Sequence, residues 1–358
     1  MAPDDFALFE AFPGLAPRLP RHPFLSGPTP VEPLALPGAA GAPLLVKREE
    51  RSCPLYGGNK PRKLELLIGA ALARGSRRLV TTGGLGTHHG LATTILGREA
   101  GLATSVVMVD QPLSREVEET LRLHAAWGAE LLYGGGLLGA GWQAARVLAR
   151  SAWAGERPYL VATGGSSPLG VVGFVSAAFE LARQVREDGI PEPAELWIAV
   201  GSGGSLAGLV VGLRLAGLAT RCVGVLVTDI LPPSRESLTR RAQATLRLLR
   251  RLDPGIPELR FSPGDFDLLS SHLGPGYGAP TPEAERAVAM AAEVGLRLET
   301  TYTGKCLAAL LPRLEQPLPA PVLFWNTFNA VDVTASAPTP LDSVTLPERF
   351  RRVLAAAG

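Results

Sequence analysis

Apolar and polar positions follow two rhythms that take turns along this chain. Short apolar runs at Leu44–Glu49, Arg78–Thr82, Thr104–Val109, Ala129–Tyr133, Pro158–Ala162, Glu195–Val200 and Cys222–Val227 predict strands. Between them, apolar residues return every third or fourth position and predict helices over 66–74, 90–99, 116–127, 141–151 and 206–216, with a long helix ending near Arg186. Strands alternating with helices through short connections predict an α/β fold with parallel, doubly wound sheets. Ligands of such sheets bind beyond the carboxyl ends of the strands. Glycine-rich loops follow three of the strands here, at Gly83–His89, Thr163–Gly170 and Gly201–Ser205, so they can converge on one ligand. Ahead of this rhythm, residues 1 to 40 are rich in Pro and Gly and read as an irregular arm.

Composition narrows the function classes. The 358 residues suffice for one large domain or two ordinary ones. With 46% hydrophobic and 19% charged residues, the chain is a packed globular protein. A net charge of +2 gives no case for nucleic acid. The most basic stretch, Arg235–Arg251, interleaves its arginines with Leu238, Leu246, Leu248 and Leu249 and reads as an amphipathic helix with a solvated face. Cys53, Cys222 and Cys306 stand far apart, without the spacing of a metal site or a disulfide framework. Met1–Phe6 lacks the basic-then-apolar pattern of a signal peptide, and no apolar run is long enough for a membrane span. A reduced, cytoplasmic protein is expected.

The stretch with the most chemistry is Gly57-Gly58-Asn59-Lys60-Pro61-Arg62-Lys63-Leu64-Glu65. Pro61 suits the first turn of a helix, which places Lys60 at or just before a helix N-terminus. The helix dipole disfavours an ammonium there, and a lysine that sheds its proton is a nucleophile toward aldehydes. The plain alternative is a solvated lysine in a surface loop. In Gly201–Ser205, backbone N–H groups with the hydroxyls of Ser202 and Ser205 suit a phosphate at a helix start; a simple capping turn is the alternative. A dinucleotide fingerprint fits poorly, because Leu206 takes the third glycine position and Arg221 stands where an acid is expected. In Gly83–His89, Thr87 can hydrogen-bond and His88 and His89 can shuttle protons, or Thr87 simply caps a helix beside two loop histidines. Tyr277 and Tyr302 lie in polar, glycine-bearing loops and are usable acids or bases.

Taken together, these motifs resemble the D-cysteine desulfhydrase and 1-aminocyclopropane-1-carboxylate (ACC) deaminase family of pyridoxal-phosphate enzymes, of fold type II, the tryptophan synthase β class. The resemblance runs from about residue 44 to 330. It is carried by Gly57–Glu65, Gly164–Gly170, Gly201–Gly208, Gly276–Thr281 and Tyr302–Lys305. It implies pyridoxal 5'-phosphate as cofactor and Lys60 as the Schiff-base lysine. Gly201, Ser202, Gly203, Gly204 and Ser205 would hold the phosphate, and Asn59, His88 and Thr303 would be further cofactor contacts. Thr87 and Tyr277 would orient the substrate, and Tyr302 would assist proton transfer.

The sequence departs from the family pattern at three places. Thr87-His88-His89 stands for a Ser-Asn-His or Ser-Asn-Gln, Glu299-Thr300-Thr301 for an Asp-Pro-Val, and Asn326-Thr327-Phe328-Asn329 for a His-Thr-Gly-Gly turn. The family places Thr303 beside the pyridine nitrogen, where ACC deaminases carry Glu. A neutral hydroxyl there implies a largely unprotonated ring and favours loss of a good leaving group.

The implied architecture is a larger α/β domain from residues 1–61 and 161–358, a smaller one from 62–160, and the cofactor in the cleft between them. The implied reaction is β-elimination from a small amino acid to a 2-oxo acid and ammonia, by a homodimer with no nucleic-acid or membrane partner. ACC deaminase-like activity and a cofactor-binding protein without turnover are the alternatives.

Overall fold

The computed structural model describes residues 6–37, 43–316 and 320–355; the Met1–Asp5 part of the signal-peptide reading lies outside them. The strands are β1 (Val31–Pro33), β2 (Leu44–Lys47), β3 (Arg78–Gly84), β4 (Ala103–Val109), β5 (Glu130–Gly135), β6 (Tyr159–Val161), β7 (Glu195–Val200), β8 (Arg221–Leu226), β9 (Asp267–Leu269) and β10 (Val322–Trp325). Among the described residues they form two sheets, ordered β1-β2-β10-β7-β8-β9 and β5-β4-β3-β6. Every pairing is parallel except that of β1 with β2. The parallel α/β class expected from the rhythm is the one observed.

Two compact units divide the chain. The first comprises Met1–Leu19, Leu25–Lys63 and Ser166–Ala330; the second comprises Pro20–Phe24, Leu64–Gly165 and Val331–Gly358. The sequence alone assigns everything from residue 161 onward to the larger domain. Contacts instead group the chain from Val331 onward with the smaller one. Leu346 and Phe350 pack with Leu85, Val106, Met108, Val117 and Leu121, and the Trp127 indole donates to the Val333 carbonyl at 3.0 Å.

In the first unit β7 and β10 are buried at every residue, as parallel strands covered on both faces require. Their neighbours are the helices Pro168–Glu187 and Gly204–Ala216, started by a Ser167 cap and by Gly203 in the left-handed conformation respectively. The short β1, β9 and β10 and the helices Pro282–Glu293 and Thr303–Leu314 are absent from the sequence reading. Tyr302, expected in a polar loop, is the residue before the Thr303–Leu314 helix and packs against the core of this unit.

Candidate active site

The helix that carries Lys60 starts at that residue and runs Lys60–Ala73. Its first turn is anchored by a buried ion network in the first unit. The Arg62 guanidinium bonds both Glu180 oxygens, at 2.9 and 3.0 Å, and also meets Glu49. Lys47 bonds Glu180 at 2.5 Å, and the Trp325 indole donates to Glu49 at 2.9 Å. Burial works against the Glu180 charge, but Arg62 and Lys47 hold its carboxyl down to about 2. Removing one partner of such a network leaves an uncompensated buried charge, so Arg62 fixes the position of its neighbour Lys60.

The glycines before Lys60 are dictated by close packing. A Cβ on Gly58 would sit 2.5 Å from the Thr327 carbonyl oxygen and 2.7 Å from that of Phe328, and Gly58 has φ +78°. The Gly57 N–H donates to Asn329 Oδ1 at 2.7 Å. Asn326 is fully buried and donates to Glu50 at 3.0 Å. Asn326–Asn329, one of the departures from the family pattern, is thus the turn that supports the lysine loop.

Lys60 Nζ donates to Asn59 Oδ1 at 2.6 Å, and Asn59 Nδ2 donates to Ser205 Oγ at 3.3 Å. The lysine loop is therefore tied directly to the glycine loop. Burial lowers the Lys60 amine to about 8, against a smaller opposing pull from Glu299. A large fraction of this amine is neutral at mildly alkaline pH, as a nucleophile requires.

The Gly201–Ser205 loop carries the helix Gly204–Ala216. Ser202 Oγ and Ser166 Oγ lie 2.6 Å apart, joining two of the three glycine-rich loops. A Cβ on Gly204 would come within 2.5 Å of Ser166 Oγ and 3.1 Å of Lys63 Nζ, and one on Gly201 within 3.2 Å of the Tyr302 ring. Gly203 differs, because its Cβ would point at Leu238 Cδ2, 2.5 Å away, and at Arg241. Its glycine is required by φ +79° and by the helix Arg235–Leu252.

Lys63 and Arg241 bring two basic groups to this loop. The Arg241 guanidinium bonds the Ser202 carbonyl, and burial lowers its pKa. Lys63 is buried, and burial, Lys60 and Arg241 together push its amine well below the usual lysine range. Basic groups crowded at a helix N-terminus, with their charge disfavoured by burial and by one another, are the arrangement that a phosphate dianion relieves. The residues present therefore fit the phosphate end of the implied cofactor.

Tyr277 and Tyr302 meet through their hydroxyls, 2.7 Å apart, with edge-to-face rings. The Tyr277 loop is fixed from two sides: its N–H donates to Asp229 at 2.9 Å, while the buried Lys305 donates to the carbonyls of Leu273 and Gly276 at 2.7 and 3.1 Å. Burial raises the Tyr277 phenol, and burial with the Tyr277 contact raises that of Tyr302 well above its ordinary value. Both phenols stay protonated and act as donors. Next to them, the Glu299 carboxylate accepts from the N–H groups of Thr301, Tyr302 and Thr303 at 2.7 to 3.1 Å and from Thr303 Oγ1 at 3.0 Å.

Thr87, His88 and His89 belong to the second unit. Thr87 caps the helix His88–Glu99 by accepting the Gly90 N–H at 3.2 Å. Its carbonyl accepts from His124 Nε2 at 3.1 Å, and burial holds that imidazole neutral with a pKa of about 3. His89 turns inward to Thr81 Oγ1 at 3.1 Å, whereas His88 is exposed. The two adjacent imidazoles thus have separate surroundings.

Sequence reasoning missed Lys63, Arg241 and Glu299. The spacing of Lys63 from Lys60, three residues on one helix face, was a usable signal. Arg241 was marked only by following Leu238 at the same interval on the buried side of an amphipathic helix.

A protein-family model described as pyridoxal-phosphate dependent enzyme matches residues 24–327. D-cysteine desulfhydrase of Klebsiella pneumoniae (strain 342) is 30% identical over 331 residues, 90% of this chain and 97% of that protein. D-cysteine desulfhydrase of Yersinia enterocolitica is 31% identical over the same shares. The crystal structure of an ACC deaminase homologue covers 100% of both chains at 25% identity, with a TM-score of 0.75. The threonine deaminase from T.th. shares the fold at a TM-score of 0.59 and 20% identity, over 91% of this chain and 98% of that one.

Proposed function

We propose that the chain, which belongs to the family of pyridoxal-phosphate dependent enzymes, is a lyase that eliminates the β-substituent of a small amino acid, D-cysteine or a close analogue, to release a 2-oxo acid and ammonia. One observation carries this reading: Lys60, with its amine lowered to about 8, is joined through Asn59 to Ser205 of a glycine loop flanked by Lys63 and Arg241. A nucleophilic amine and a phosphate cradle in one assembly are the two anchors that a phosphorylated aldehyde needs.

The bound cofactor supplies an electron sink for the substrate Cα. The chain's own groups do the rest. Lys60 would hold the cofactor through its amine and, with that amine free, would take the Cα proton. Gly201–Ser205, with Ser166, Lys63 and Arg241, holds the phosphate. The tyrosine pair has two phenolic protons; one is spent between the two oxygens, leaving the other for the leaving group.

The desulfhydrase relatives, matched along nearly their whole length, support elimination over ring opening. No helix among the described residues is long and apolar enough to cross a membrane. Cys53, Cys222 and Cys306 are buried and form no disulfide among the described residues, which suits a reducing cytoplasm. A homodimer would cover the exposed Leu138, Trp142 and Trp153.

Purified protein loaded with pyridoxal phosphate tests the reading when assayed with D- and L-cysteine, β-chloro-D-alanine and ACC. The expected result is pyruvate from the β-substituted D-amino acids, with sulfide from D-cysteine. Release of 2-oxobutanoate from ACC, without turnover of the β-substituted alanines, would overturn it.

A further inference from the structure

Thr303 has a neighbour that changes what its hydroxyl can offer. The residue is 1% exposed and begins the helix Thr303–Leu314. Its hydroxyl has one proton and two lone pairs. One lone pair takes the Glu299 N–H at 3.1 Å. The proton has two acceptors in reach, Glu299 Oε1 at 3.0 Å and the Glu299 carbonyl at 3.5 Å. The carboxylate wins, because it is closer and a charge-assisted bond is about twice as strong as a neutral one. Glu299 has no choice of role, since the other groups bonded to it are backbone N–H donors. One lone pair of Thr303 Oγ1 is then left, and no proton.

We infer that Glu299 is a positioning residue that acts through Thr303: by taking the hydroxyl proton it turns Thr303 into an acceptor and favours the N–H form of the pyridine ring of bound pyridoxal phosphate. The inference rests on the proposed function and on the family resemblance, which implies Thr303 beside the ring nitrogen. It reverses the expectation drawn from Thr303 alone. A neutral hydroxyl that donates would keep the ring unprotonated, whereas one committed to a carboxylate can only receive. The pair Glu299–Thr303 thereby delivers a negative charge at one remove. A protonated ring is the stronger electron sink, so the elimination is not confined to substrates with thiolate-like leaving groups.

Ring-15N pyridoxal phosphate bound to the full-length protein provides a readout independent of turnover. The wild-type 15N resonance should lie at the pyridinium position at neutral pH. It should move toward the pyridine position in Glu299→Gln and Thr303→Val, and stay in Thr303→Ser, which keeps the hydroxyl. Circular dichroism shows which variants fold, and the wild-type spectrum decides even if Glu299→Gln does not. A wild-type resonance at the pyridine position, or a pyridinium resonance indifferent to both variants, would overturn the inference while leaving the cofactor assignment intact. Failure of the wild type to bind the cofactor would remove both.

Discussion

The hydroxyl of Tyr277 lies 2.7 Å from that of Tyr302, and the pair has one spare proton. Tyr302 is the more strongly perturbed, with its phenol held well above the ordinary range by burial first and by Tyr277 second. Tyr302→Phe should lower kcat by roughly 10²- to 10⁴-fold, the usual worth of a positioned proton donor. Cofactor absorbance and affinity should change little. Steady-state kinetics beside a cofactor titration check this, and an unchanged kcat would remove Tyr302 from the proton path.

The lowered Lys60 amine makes a prediction about pH. An amine attacks an aldehyde only when neutral, and the neutral fraction rises as pH passes the pKa. Condensation of apoprotein with pyridoxal phosphate should therefore accelerate through pH about 8 and level off above it. An ordinary solvated lysine would still be gaining at pH about 10. Stopped-flow absorbance across that range separates the two.

Lys63 should matter more to the phosphate than Arg241. Both come within 3.1 Å of a Cβ built on the loop, but Lys63 does so at Gly204 beside Ser166 Oγ, whereas Arg241 does so at Gly203 beside Leu238 and is committed to the Ser202 carbonyl. A lost charge-assisted bond is worth about 1.5–3 kcal/mol, so Lys63→Met should weaken cofactor binding by roughly 10- to 100-fold. Arg241→Met should weaken it less. Pyridoxal without its phosphate should bind wild type and the Lys63 variant alike, which equilibrium titration measures.

Gly203→Ala should cost stability before it costs binding. The added methyl meets Leu238 at 2.5 Å, and φ +79° is a left-handed conformation, which costs about 1–2 kcal/mol for an L-residue. Thermal melts of apoprotein should show the loss without any ligand present. A melt equal to wild type, with cofactor affinity reduced, would mean that the glycine serves the ligand instead.

The central strands and the lysine loop were legible because their signals are local. The run Glu195–Val200 is apolar on nearly every residue since both faces of β7 are covered, and Pro61 in a first turn announces a helix start at Lys60. What stayed hidden depends on tertiary approach. β10 is a run of four residues, Val322–Trp325, too short to show a period. The chain from Val331 onward reads as a continuation of the larger domain until Phe350 is seen packing with Met108 and Leu121. Arg241 looked like one more charge on a solvated face, and only folding turns it toward Ser202. Thr303 was legible as a hydroxyl, but its acceptor role depends on where Glu299 folds back.

The central claim is that Lys60 is the residue to which the cofactor is attached. Borohydride reduction of the holoprotein followed by peptide mapping tests it most directly. The pyridoxyl group should be found on the peptide containing Lys60, at that residue. Recovery on Lys63 or Lys305, or no labelled peptide from a protein that has bound the cofactor, would contradict the account.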